Sequence, residues 1–121
     1  MPIKFSNNAS ATLAASIGSG ATSISVTLGQ GALFPALSAG DYFYATLVDQ
    51  FNNLEVVKVT ARIGDTMTVV RGQDGTVAKG YGAGDKFEVR LTAAGLEDIR
   101  SEAVSAADAA TGNALAFAIA L

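Results

Sequence analysis

The 121-residue chain contains no cysteine, no histidine and no tryptophan. Without cysteine there is no disulfide framework and no thiolate chemistry. Without histidine as well, a hydrolase would need a carboxylate pair, a serine–lysine arrangement or a bound metal. Charge is sparse too, with 8 Lys and Arg against 11 Asp and Glu, a net charge of -3. No basic stretch exists to displace counterions, so a nucleic-acid backbone is not the expected partner. No uncharged apolar run reaches the ~20 residues that span a bilayer, so no membrane span is expected. The first ten residues, MPIKFSNNAS, lack the apolar stretch of a signal peptide. No cofactor and no metal are expected, and the chain does not read as an enzyme.

Half of the residues are hydrophobic, enough for one modest core. Much of that half is alanine, which buries little area per residue. Six segments have the look of short strands. Residues 11–17, ATLAASI, alternate Leu13, Ala15 and Ile17 with polar neighbours. TSISVTL at 22–28 is the cleanest case, with Ile24, Val26 and Leu28 on one face and Ser23, Ser25 and Thr27 on the other. Such alternation buries one face of a sheet and wets the other. YFYATLV at 42–48 is aromatic and β-branched. LEVVKVTAR at 54–62 and TMTVVR at 66–71 flank Gly64-Asp65 and predict a hairpin. KFEVRL at 86–91 closes the series. Between 29 and 41, GQGALFPALSAGD reads as a loop, pinned to the core or to a partner through Leu33, Phe34 and Leu37. The fold class expected is mainly β: a small antiparallel β-sandwich or barrel, residues 1–91, followed by a C-terminal α-helix.

At Thr92 the period changes. Thr92 is a good N-cap for AAGLEDIRSEAVSAADAA. Leu96, Ile99, Ala103, Ala106 and Ala110 follow the 3-4 spacing of a coiled-coil seam. The chain ends on ALAFAIAL, where Leu115, Phe117, Ile119 and Leu121 alternate with alanines. Residues 92–121 are thus expected to serve oligomerisation or docking, with copies of the chain as the first partner.

Candidates for chemistry are few. Asp65, Asp74 and Asp85 each adjoin a glycine, a spacing that turns explain. The most distinctive hexapeptide is RGQDGT, 71–76. It reads either as a surface loop presenting Arg71, Gln73 and Asp74 to a partner, or as a plain turn with Arg71 paired to a carboxylate. GYGAG at 80–84 lacks the lysine–hydroxyl pair and the following helix of a phosphate loop. Among the aromatics Phe5, Phe34, Tyr42, Phe43, Tyr44 and Phe51, Tyr42 and Tyr44 share a strand face, the geometry of a sugar platform. A core or interface role is the commoner use of such a pair, and glycan binding is not expected.

FSNNASATLAASIGSGATSISV, GALFPAL, YFYATLVD, EVVKVTARIGDTMTVVRGQDGT and AGDKFEVRLTAAGLEDI occur in that order over residues 1 to about 99. Together they resemble the N-terminal domain of tail-fibre and related tail structural proteins of tailed bacteriophages. The segment VKVTARIGDTMTVVRGQDGT carries most of the likeness. The resemblance implies a β-rich module that attaches a fibre to the tail, assembled in the bacterial host cytoplasm and carried in the virion. It further implies an oligomer, with a trimer favoured, and other tail proteins as partners. Long members continue into a shaft and a receptor-binding tip. The 121 residues carry neither, so the expectation is either a short tail protein in its own right or a distal function on another chain, with the attachment role kept. A capsid decoration, cement or head–tail adaptor protein is the alternative.

Overall fold

The computed structural model describes residues 3–110, with the backbone path alone described for 104–110. Six antiparallel strands, β1 (Ser10–Thr12), β2 (Ser23–Ser25), β3 (Phe43–Val48), β4 (Leu54–Ile63), β5 (Thr66–Gln73) and β6 (Lys86–Glu88), form one curled sheet in the order β1-β6-β3-β4-β5-β2. The helix α1 (Ala93–Ala110) follows. The sheet is a half-barrel whose two edge strands meet through an antiparallel bridge between Leu13 and Val26. Two backbone bonds hold that seam, Ala14 N–H to Ser25 O and Thr27 N–H to Thr12 O, at 2.9 and 2.8 Å. Joining the edges leaves few unpaired strand groups open to chance pairing.

The expected fold class is therefore the observed one, with different strand lengths. The hairpin of β4 and β5 turns at Gly64-Asp65 and is the longest pairing in the sheet. β1, β2 and β6 are three residues each, shorter than their alternation predicts. β2 stops because the chain turns at Leu28 and Gly29, whose φ of 86° is the left-handed conformation that glycine adopts freely. Leu28 consequently leaves the core face that Ile24 and Val26 occupy and is 91% exposed. Leu91 is exposed for the same kind of reason, since β6 ends at Glu88.

The inner face of the curl is the main core. Ile24, Phe43, Leu47, Val57, Val59, Met67, Val69 and Phe87 lie buried there. The 29–41 segment forms a 3-10 helix, Gln30–Leu33, then drops Phe34 onto this core. Phe34 stacks on Phe43 at 5.8 Å and tilts against Phe87 at 5.2 Å. Leu37 packs beside it, whereas Leu33 faces solvent. Every residue of β3 is buried because both of its faces are covered. On the outer face Tyr44, Val56 and Ile3 form a second cluster, joined by Tyr42, Ala94 and Ile99. The change of period at Thr92 is thus a change of element, while packing runs through it into α1. Among the described residues no helix is long and apolar enough to cross a membrane.

Candidate docking surface

RGQDGT does not present an arginine to solvent. The Arg71 side chain is 8% exposed and pairs at 2.8 Å with Glu55, which is fully buried. The surface reading of Arg71 is corrected on that ground. All five guanidinium N–H donors find acceptors: Glu55 Oε2, Glu55 Oε1, and the carbonyls of Gly18, Ala21 and Lys79. Glu55 also accepts from the backbone N–H of Gly72 and of Lys79. Burial opposes its ionisation, but the Arg71 side chain and these N–H groups outweigh burial and lower its pKa. Arg71 thereby ties the 18–21 and 72–79 segments to β4. Gln73 is half-buried and donates to the Arg71 carbonyl. Asp74 is the exposed member. Its Oδ1 accepts from Ala94 N–H at the start of α1, a favourable place for a negative charge.

Helix α1 does not offer its expected seam as one open stripe. Thr92 caps it through Oγ1 to the N–H of Gly95. Gly95 fits closely there: a Cβ would stand 3.0 Å from Thr92 Oγ1 and in contact with Tyr44 and Ile3. Ile99 turns inward onto the outer-face cluster, and Ala103 is half-buried. Leu96 faces out and is 51% exposed. Ala106 and Ala110 belong to α1, but their side chains lie outside the described residues, as do Leu115, Phe117, Ile119 and Leu121 altogether.

Tyr42 and Tyr44 share a face, with ring centroids 5.6 Å apart and edge to face. They form no open platform, because α1 lies over them. Both hydroxyls donate to the same oxygen of Asp98, at 2.6 and 2.8 Å. Burial, the bond to Asp98 and its charge push the Tyr44 hydroxyl up to about 12 and raise Tyr42 in the same direction. Lys58 Nζ lies 4.3 Å from the centre of the Tyr42 ring. A tyrosine pair that fixes a helix is thus the use made of this face.

Three exposed apolar side chains lie together elsewhere. At the β4–β5 turn Ile63 is 84% exposed, beside the segment that carries Leu28 and Leu33. Asp65 locks these loops together, since its carboxylate accepts from the N–H groups of Gly29 and Gly31 at 3.1 and 2.8 Å. Those two bonds hold its pKa below the ordinary value. Gly31 approaches so closely that a Cβ would stand 2.2 Å from the Gly64 carbonyl oxygen. Arg62 completes the clamp by donating to the carbonyls of Pro35 and Gly64. The result is a fixed tip bearing Leu28, Leu33 and Ile63.

The opposite end mixes polar turn residues with the exposed Phe51, Leu54 and Val77. β4 is ten residues long, and at about 3.3 Å per residue it sets the two ends on the order of 30 Å apart. Here Asp49 organises the 49–53 turn by accepting from the N–H groups of Phe51 and Asn53. Lys79 pairs with Asp49 at 2.8 Å and, before the Asn53 bonds, keeps its pKa low. The Tyr81 ring supports Lys79 at 4.1 Å. Burial, then Glu55 and Asp49, raise the Tyr81 hydroxyl to about 12. Asp85 accepts from Gly82 N–H. The turn role expected of Asp65, Asp74 and Asp85 is what each performs, although Asp65 and Asp74 also reach across to other segments. Among the described residues no group of three or more His, Cys, Asp or Glu could hold a metal ion.

Sequence reasoning missed Glu55, Asp98 and the clamping function of Asp65. A signal existed for one of them: Glu55 interrupts an otherwise apolar run, LEVV, where a lone charge asks for a partner. No protein-family model matches the chain, and no curated protein matches it.

Proposed function

We propose that the chain is a structural protein of a tailed-bacteriophage virion, a tail-fibre anchor or short tail appendage that attaches by protein–protein contacts. The observation that carries this reading is the locked apolar tip. Leu28, on a loop, and Ile63, at the end of β4, are 91% and 84% exposed on segments that Asp65 and Arg62 hold in place. Large apolar side chains fixed in the open favour a surface that assembly covers. The resemblance of residues 1 to about 99 to tail-fibre N-terminal modules supports the same assignment. Self-association, with a trimer favoured, is part of the proposal, and the outward Leu96 on α1 is consistent with it. A catalytic role is not part of it. Glu55 is committed to Arg71, Asp65 to two glycine N–H groups and Asp49 to Lys79.

The test is gold labelling of phage particles with an antibody against the purified chain. Grains on the tail are expected. Grains on the shell would move the assignment to a decoration or cement protein. Virions without grains, produced by cells that make the chain, would refute both.

A further inference from the structure

At the end opposite the Ile63 tip, the 49–53 turn and the loop 80–86 face each other across two adjoining depressions of about 310 Å³ each. Asp49, Gln50 and Asp85 line both. Each depression falls at the lower limit of the roughly 300–1,000 Å³ of small-molecule sites. Phe51 lines one of them and is 75% exposed. It is not a loose side chain on a floppy loop. Its own N–H is bound by Asp49, Asn52 takes the left-handed conformation at a φ of 62°, and Lys79 anchors Asp49 in turn. The ring is therefore presented by a turn whose shape is already set, which lowers the ordering cost of binding.

The lining chemistry selects among ligand classes. The charged lining balances, with Asp49 paired to Lys79 and Asp85 beside Lys86, so the cleft offers no net charge to favour an anion or a cation. A lipid chain would require a longer apolar wall than one phenylalanine. What remains suits a polyhydroxylated ring. Phe51 offers an apolar face for the ring C–H groups. The exposed Gln50 and Asn52 carry planar amides that can donate and accept at once, as neighbouring hydroxyls demand. Asp85 uses Oδ2 on Gly82, and its other oxygen is available as an acceptor.

We infer that this cleft is a glycan-binding site, with Phe51 as the stacking surface and Gln50, Asn52 and Asp85 as the groups that read hydroxyls. It is distinct from the Tyr42–Tyr44 face, which α1 covers. Two adjoining depressions suit an oligosaccharide rather than a single sugar. The site goes beyond the attachment role, and lies at the end opposite the apolar tip.

The test is a glycan array that includes bacterial surface oligosaccharides, followed by titration of any oligosaccharide bound, using the full chain. Wild type is expected to bind at least one oligosaccharide. Phe51→Ala should weaken it about tenfold, and Phe51→Trp should retain it. Tyr44→Phe should leave it unchanged. Thermal melting of each variant separates lost binding from lost folding, and Phe51, being exposed, should leave the melt in place. No binding by wild type, or equal binding by a folded Phe51→Ala, would overturn the assignment.

Discussion

The two ends of the half-barrel are built with the same device and put to opposite use. At each end a carboxylate collects backbone N–H groups and so fixes a loop. Glu55 takes those of Gly72 and Lys79, and Asp65 takes those of Gly29 and Gly31. Glu55 is fully buried and answered by Arg71, whereas Asp65 is half-buried with glycines around it. Burial makes the first a stabilising keystone that shows nothing to a partner. Its place between two surface segments makes the second a frame for the exposed Leu28 and Ile63. One device thus serves stability where it is hidden and presentation where it joins surface segments.

The sharpest break in that comparison is at Arg71. Arg71→Met strands the Glu55 carboxylate in the interior and should cost about 3–5 kcal/mol, read by chemical denaturation. Lysine should not rescue it, because a single ammonium cannot replace a fork that serves five acceptors. Adding Glu55→Gln to Arg71→Met should return part of the loss. At the other end Gly31→Ala should cost about 1–3 kcal/mol, since its Cβ meets the Gly64 backbone rather than a side chain that can move. Asp65→Asn should lower the melting temperature by less than Arg71→Met does.

Titration separates the same regions. Glu55, Asp65 and Asp49 have lowered pKa values in the folded chain. Their stabilisation is present above the ordinary carboxylate range of about 4 and is lost as pH falls below it. Tyr44 and Tyr81 are raised to about 12. Their contribution is complete below pH 10 and is lost as pH climbs from about 10 through 12, because the unfolded chain gives up those protons first. Tyr44→Phe should flatten the alkaline limb of a melting-temperature curve and leave the acid limb unchanged. The smallest effect is expected at the exposed Glu97–Arg100 pair on α1. Glu97→Ala should leave the melt where it is.

How much of this was legible follows from the range of each interaction. The hairpin of β4 and β5 was readable because its period and its Gly64-Asp65 turn are local. Thr92 was readable as a cap for the same reason. The face shared by Tyr42 and Tyr44 follows from strand period, but what covers it is Asp98, 54 residues from Tyr44. No local pattern carries that separation. Alternation also misplaced Leu28, since period alone does not say where a strand stops. In β4, Val56 and Val57 are both buried because both faces of the strand are covered, Val57 by the inner core and Val56 by the outer-face cluster, and the pairing with β5 also shifts register between Val56 and Lys58. The Arg71–Glu55 pair crosses that irregularity, and one-dimensional spacing gave no distance for it.

The proposed attachment of the chain to the phage tail rests on its apolar tip. Its most direct measurement is the amount of chain in purified phage particles, by quantitative mass spectrometry, for wild type and for the double variant Leu28→Asp, Ile63→Asp. Both substitutions are on exposed side chains, so the variant should fold and melt within about 0.5 kcal/mol of wild type. The account predicts wild-type chain in the particles and a loss of at least about tenfold for the variant, the equivalent of 1.4 kcal/mol of contact energy. Equal incorporation of the two, or no wild-type chain in the particles at all, would contradict it.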